Sequence, residues 1–171
     1  QIALTKESFN PEIHKTWYRY NYEQLFTDIA NEKLEKRSTF RWLFLNDLFF
    51  MVMFGQEYEG ANLPFVVQRC GDVQDGAKSN TLDIWARAHY KSTIITVCET
   101  LQYHLNNPAH CTCILAYARP PAKKFLRSIK ILCEQSDTLK WCFPDILWEK
   151  PESQAPKWSE DDGLIFKRSS S

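Results

Sequence analysis

Residues 82–93 read Leu82-Asp83-Ile84-Trp85-Ala86-Arg87-Ala88-His89-Tyr90-Lys91-Ser92-Thr93. An apolar, strand-like run leads into a short polar turn, and a helical pattern over residues 94–101 follows the turn directly. This order is typical of a loop that binds nucleotide phosphates. Backbone N–H groups and the positive helix end face the phosphates, the lysine contacts the β and γ oxygens, and the hydroxyl binds Mg²⁺. The stretch therefore predicts a phosphate-binding loop.

The loop departs from the usual phosphate-binding pattern at its two glycine positions. Those positions, six and one residues before the lysine, hold Trp85 and Tyr90. If the second position requires a positive φ, a tyrosine there costs about 1 kcal/mol or more. Arg87 favours phosphate binding, because its planar guanidinium suits phosphate oxygens. The alternative interpretation is an exposed helix N-terminus that Ser92 caps.

Three stretches resemble the ATPase core of phage terminase large subunits. Asp83–Thr96 is similar to the deviant Walker A loop of that family, in which an arginine lies early and the glycine before the lysine is often replaced. Ile114–Lys130 resembles the next strand and helix, and Trp158–Arg168 resembles the segment shortly before Walker B. The three stretches occur in the family order within residues 80–170, whereas residues 1–60 match only loosely.

The resemblance implies an α/β fold, a P-loop NTPase of the ASCE type with a parallel sheet flanked by helices. The order strand, helix, strand, helix also predicts parallel units. We expect Leu82–Ala86 to lie beside Cys111–Ala118, with a right-handed crossover through Ser92–Leu105. The predicted domains are an N-terminal helical segment over residues 1–62 and a partial ATPase core over residues 63–171.

The resemblance also implies the site residues and the cofactors, ATP and Mg²⁺. Lys91 and Arg87 would be catalytic, and Ser92 would bind Mg²⁺. The ATP phosphates would contact Arg87, Ala88, His89, Tyr90, Lys91, Ser92 and Thr93. For two of these the sequence leaves an alternative open: Arg87 as a surface arginine and His89 as a solvated turn histidine.

ATP hydrolysis needs two further acids at the end of a second core strand. No apolar run after Lys91 ends in Asp-Asp or Asp-Glu, and Asp161-Asp162 follows polar residues. In the resembled family Walker B follows a strand of the kind predicted for Gly163–Arg168. We therefore expect the chain to stop just short of Walker B, to bind nucleotide weakly, and to show neither ATP turnover nor DNA cleavage by itself.

The resemblance implies that the intact protein is the ATPase of a viral DNA-packaging motor. Such a motor drives double-stranded DNA into the procapsid in the host cytoplasm. Its partners would be double-stranded DNA, the portal protein, the small terminase subunit and neighbouring large subunits in a ring. Two alternatives stay open: a degenerate, non-catalytic P-loop interaction module, and another small P-loop NTPase.

The charge of the chain limits how it could bind DNA. Its 171 residues include 21 basic and 21 acidic side chains, whereas proteins that bind DNA by general electrostatics are usually basic. Any DNA contact must therefore be local or transient, or be made by another part of the protein. One predicted helix carries a row of basic residues, which reads as a solvated face or as a contact for DNA phosphates or a neighbouring subunit. The row is Arg119, Lys123, Lys124, Arg127 and Lys130.

The cysteine positions argue against a zinc-binding protein, and the lengths of the apolar runs argue against a membrane-spanning protein. The cysteine positions do not match known zinc-ligand spacings, so we expect reduced cysteines that serve as small core residues. They are Cys70, Cys98, Cys111, Cys113, Cys133 and Cys142. No apolar run reaches the roughly 18 residues that a transmembrane helix needs, and Trp42–Phe54 is expected to be a buried helix. No membrane partner is predicted.

Overall fold

The computed structural model describes residues 22–76, 82 and 84–168. The chain divides into two compact units, Gln1–Tyr90 and Lys91–Ser171. Residues 1–21 of the predicted N-terminal segment lie outside the described residues, as does Asp83 of the predicted strand.

The described part of the first unit is helical. Its elements are α1 (Tyr22–Ala30), α2 (Lys36–Asn46), α3 (Leu48–Phe50) with its π-helical continuation Met51–Gly55, a 3-10 turn at Glu59–Ala61, and α4 (Pro64–Gly76). The prediction of a single helix over Trp42–Phe54 is wrong, because Asp47 interrupts it. Asp47 has an extended backbone and caps α3, where its carboxylate accepts hydrogen bonds from the N–H groups of Phe49 and Phe50 at 3.0 and 3.3 Å.

Aromatic rings form the core of the first unit. The Phe50 ring stacks on Phe54 with 4.4 Å between centroids and meets Phe44 edge-on at 4.9 Å. The helix turn below these rings is tightly packed, because a Cβ atom at Gly55 would lie 2.7 Å from Met51 Sδ. Most of the apolar run Trp42–Phe54 is therefore buried, as predicted, whereas Trp42 is 56% exposed, and the run is divided between two helices.

The described part of the second unit has two long helices and a small hairpin. Its elements are a π-helical stretch Ser92–Glu99 that continues as α5 (Thr100–Asn106), then α6 (Arg119–Gln135), α7 (Asp137–Cys142), α8 (Pro151–Gln154), β1 (Trp158–Ser159) and β2 (Gly163–Leu164). The helix predicted at Ser92–Leu105 is confirmed, as is the predicted helix that carries the basic row, which is α6. Prolines are tolerated in the first turn of α6, because N–H groups there have no partner within the helix.

The predicted α/β P-loop NTPase fold with a parallel sheet is wrong. Helical residues make up 61% of the described residues, and the one sheet among them pairs β1 with β2 antiparallel. Residues 84–86 and 111–116 form no regular secondary structure and belong to no sheet in the described part of the chain. Leu115 and Tyr117 are 87% and 96% exposed. An apolar run forms a strand only where a neighbouring strand pairs with its backbone groups, and local sequence does not specify that neighbour.

None of the described helices is both long enough and apolar enough to cross a bilayer.

Candidate functional site

The predicted phosphate-binding loop has an unusual backbone at the end of the first unit. Ala88 and Tyr90 both have a φ of 61°, the left-handed region that favours glycine. An L-residue pays roughly 1–2 kcal/mol for this conformation. Tyr90 directly precedes Lys91, at the position where phosphate-binding loops have their second glycine. The backbone there thus adopts the conformation that the usual glycine would allow.

Aromatic contacts hold Tyr90 in this conformation. Its hydroxyl donates a hydrogen bond to the Gly60 carbonyl at 3.2 Å. Its ring meets the Tyr58 ring at 5.4 Å and lies nearly parallel to the Phe65 ring at 6.3 Å. Burial raises the pKa of the Tyr90 phenol above its usual value, and Tyr58 raises it further. The phenol therefore stays protonated at neutral pH and keeps its donor.

Two neighbouring loop residues also make contacts within the first unit. His89 packs against the Phe65 ring with 5.6 Å between centroids, and its Nδ1 lies 2.7 Å from the Arg87 carbonyl oxygen. The Arg69 guanidinium lies over the Trp85 ring at 5.5 Å. The two large aromatic residues that replace the glycines, Trp85 and Tyr90, thus both have partners in the fold.

The remaining predicted site residues begin the second unit. Lys91 and Ser92 are exposed and Thr93 is half-buried. The backbone of Lys91 is already helical and its side chain makes no capping hydrogen bond. Ser92 therefore lies inside the helix, and the alternative in which it is the N-cap is wrong. Among the described residues neither Arg87 nor Lys91 forms an ion pair.

The residues fit a magnesium ion that is bound mainly by substrate. In the described part of the chain no group of three His, Cys, Asp or Glu side chains could hold a metal ion. Mg²⁺ typically takes only one or two protein ligands and completes its shell with water and phosphate oxygens. The exposed Ser92 hydroxyl is compatible with that role.

The basic row of α6 is paired with an acidic turn. The guanidinium of Arg119 and the ammonium of Lys123 contact Asp161 at 2.5 and 2.8 Å, and Arg127 contacts Glu160 at 3.1 Å. Lys123 holds the pKa of Asp161 below its usual value, with Arg119 adding to the effect, and Arg127 does the same for Glu160. The interpretation of this row as a plain solvated face is therefore incomplete.

A groove of about 560 Å³ lies between the 111–114 segment, α6 and the β1–β2 hairpin. His104 lines it, half-buried and stacked on Phe166 at 5.3 Å. Burial lowers the pKa of His104, and His110 lowers it further. This imidazole is therefore neutral at pH 7. Sequence reasoning missed His104, because a helical histidine gives no local sign of its neighbours.

The expectation that the cysteines are core residues holds for four of the six. Cys70, Cys98, Cys133 and Cys142 are buried, whereas Cys111 and Cys113 are exposed. Burial raises the pKa of the Cys133 thiol far above its usual range, and Glu134 adds to the effect. The two exposed thiols lie on segment 111–116, which was predicted to be a buried strand. Because that strand is absent, the prediction that these two thiols are buried is also wrong.

This chain matches no protein-family model, no curated protein and no solved structure.

Proposed function

We propose that Arg87–Thr93 binds the phosphates of ATP together with Mg²⁺, as part of a DNA-packaging ATPase of the terminase large-subunit type. One observation carries the proposal: Tyr90, at the second glycine position of the pattern, has a φ of 61°. Strained backbone at a non-glycine residue persists only where surrounding contacts impose it, and such strain is concentrated at ligand-binding sites. The contacts of Tyr90 with Tyr58 and Phe65 meet that condition.

Each residue of the stretch has a defined role in this proposal. The Lys91 ammonium contacts the β and γ phosphate oxygens, and the Arg87 guanidinium contacts a phosphate through its planar fork. The backbone N–H groups of Ala88, His89 and Tyr90 face the anion. Ser92 is the protein ligand of Mg²⁺, and Thr93 adds a further phosphate contact. When bound, Mg²⁺ neutralises charge on the β and γ oxygens.

The finer part of the proposal rests on the sequence resemblance. The motor would move double-stranded DNA into a procapsid in the host cytoplasm, with the portal protein, the small terminase subunit and neighbouring large subunits as partners. Hydrolysis would also require a carboxylate that positions the attacking water. No Asp-Asp or Asp-Glu pair follows an apolar run after Lys91. We therefore expect this chain to bind ATP without turnover.

A second candidate is a non-catalytic interaction module. It is favoured by segment 111–116, which belongs to no sheet among the described residues and carries the exposed side chain of Leu115. Unpaired strand-like segments can add to the sheet of another chain. In this candidate the chain binds no nucleotide.

Thermal unfolding with and without Mg·ATP separates the two candidates. At a nucleotide concentration about 100-fold above Kd, binding should raise Tm by about 5–10 °C. Lys91→Ala should remove this shift, because the ammonium and the helix N-terminus act together on the phosphates. Lys124→Ala, which removes another exposed lysine, should keep it. Equal shifts in Lys91→Ala and the wild type would refute the site, and no shift in the wild type would favour the interaction module.

A further inference from the structure

Two consecutive carboxylates of the β1–β2 turn lie against the basic row of α6. Asp161 divides its oxygens between two cations: Oδ1 accepts from Arg119 at 2.5 Å and Oδ2 from Lys123 at 2.8 Å. Glu160 Oε1 accepts from Arg127 Nε at 3.1 Å. A phosphodiester presents its two non-bridging oxygens to basic side chains in the same way. The acidic turn therefore makes the contacts that two neighbouring phosphates would make.

The spacing of the basic row suits a linear polyanion. Arg119, Lys123 and Arg127 recur at every fourth residue, so they lie on one helix face about 6 Å apart along the axis. Lys124 is exposed on the same helix, and these four side chains border a shallow depression of about 460 Å³. These four members of the basic row thus present four cations along little more than two helical turns.

The ion pairs between the acidic turn and the basic row are weak. The side chains of Arg119 and Arg127 are 74% and 64% exposed, and that of Asp161 is 49% exposed. Exposed ion pairs contribute little to stability and are screened by salt. A polyanion that supplies several phosphates at once also gains from counterion release. Such a ligand can therefore displace the turn.

The hairpin has a second attachment that does not involve the row. Trp158 Nε1 donates a hydrogen bond to Glu134 Oε1 at 2.8 Å. The Trp158 side chain is buried and meets the Phe166 ring edge-on at 5.8 Å. The hairpin can therefore stay on α6 while its acidic tip leaves the basic side chains.

We propose that Arg119, Lys123, Lys124 and Arg127 bind the phosphate backbone of a nucleic acid, and that Glu160 and Asp161 mask them in the free protein. This site accounts for a local DNA contact on a chain with no net charge. It involves none of the residues of the proposed ATP site, so either proposal can fail without the other.

Fluorescence anisotropy with a short random-sequence DNA duplex tests the mask, at about 50 mM salt, where phosphate contacts are strong. The double variant E160Q/D161N should bind the duplex about tenfold more tightly than the wild type, because three exposed ion pairs no longer compete. The matched control is E149Q/E152Q, which makes the same change in charge at exposed residues that contact none of the four basic side chains. It should change the affinity less than twofold. Equal gains in both variants, or none in E160Q/D161N, would overturn the proposal.

The basic row is tested in the unmasked background. Adding R119A, K123A and R127A to E160Q/D161N should abolish the gain and reduce the slope of log affinity against log salt by about 3. Lys124→Glu, at an exposed position with no ion pair among the described residues, is a second test and should weaken binding. Unchanged affinity in Lys124→Glu would contradict the proposal. Equally tight binding of polyglutamate would indicate an acidic protein partner and would also overturn it.

Discussion

The phenol of Tyr22 donates a hydrogen bond to the carboxylate of Asp47, and both side chains are buried. The same carboxylate accepts the N–H groups of Phe49 and Phe50 at the start of α3. A buried carboxylate is tolerated only when hydrogen-bond donors surround it. Asp47 therefore links α1 to the aromatic core and also fixes the boundary between α2 and α3.

Asp47→Ala should lower the free energy of unfolding by about 2–4 kcal/mol. The substitution removes an N-cap and leaves the buried Tyr22 hydroxyl without its acceptor. Urea unfolding measures the loss. Asp72→Ala is the control, because Asp72 is half-exposed and its ion pair with Arg69 spans only three residues on α4. The control should cost less than about 0.5 kcal/mol. Similar losses in the two variants would contradict the role assigned to Asp47.

Ala88→Gly should stabilise the chain by about 0.5–1 kcal/mol. Ala88 is exposed and has a φ of 61°, so glycine relieves backbone strain and removes no buried contact. Ala109→Gly is the control, because Ala109 is also exposed but does not have a positive φ. At this position glycine should destabilise the protein, because it raises the conformational entropy of the unfolded chain. A loss of stability in Ala88→Gly would mean that the left-handed conformation is absent.

Two of the six thiols should react quickly with a thiol reagent in the native protein. Cys111 and Cys113 are exposed, whereas the other four are buried. Burial also raises the pKa of Cys133, which removes the reactive thiolate. Counting labelled thiols by mass spectrometry before and after denaturation gives the result. Labelling of more than two thiols in the native state would show that the surroundings of at least one buried cysteine, in either unit, open in solution.

The sequence predicted those parts of the fold that local pattern determines. Periodic patterns predicted α6 and the helix that begins near Ser92, because burial of one helix face leaves a periodic signature. The break at Asp47 was missed, since an N-cap aspartate inside an apolar run resembles a polar interruption of one helix. The sequence raised a positive φ at Tyr90 only as a condition, and the structure shows that this condition is met.

The predictions that were wrong concern contacts between residues that are distant in the sequence. A strand needs a partner, and the run from Cys111 to Ala118 gives no information about one. The pairing of Arg119 with Asp161 joins residues 42 positions apart. Charge patterning identified the basic row but gave no sign of the turn that covers it.

Acid should release the acidic tip of the β1–β2 hairpin from the basic row of α6. The pKa values of Glu160 and Asp161 are lowered by their cationic partners. Their contribution to hairpin attachment is therefore complete above the usual carboxyl pKa of about 4 and is lost as pH falls through the lowered values. The protection factor of the Ile165 amide, which donates to the Lys157 carbonyl at 3.0 Å, reports on the hairpin. In the wild type this protection factor should fall as pH drops through the lowered pKa values. In E160Q/D161N it should not depend on pH in that range. A wild-type protection factor constant through this window would contradict the assignment.

Leu115→Lys should reduce self-association without reducing stability. Leu115 is 87% exposed on segment 111–116, which belongs to no sheet among the described residues, so a lysine there replaces few native contacts. Exposed apolar segments without a pairing partner tend to pair with other chains, and a lysine opposes such pairing because its charge must stay in water. Light scattering against protein concentration measures association, and urea unfolding measures stability.

Ile131→Lys is the control, since Ile131 is a 40% exposed apolar residue on α6 and lies outside that segment. A large loss of stability in Leu115→Lys would show that the segment is buried in solution, and equal effects of the two lysines on association would show that segment 111–116 does not drive it.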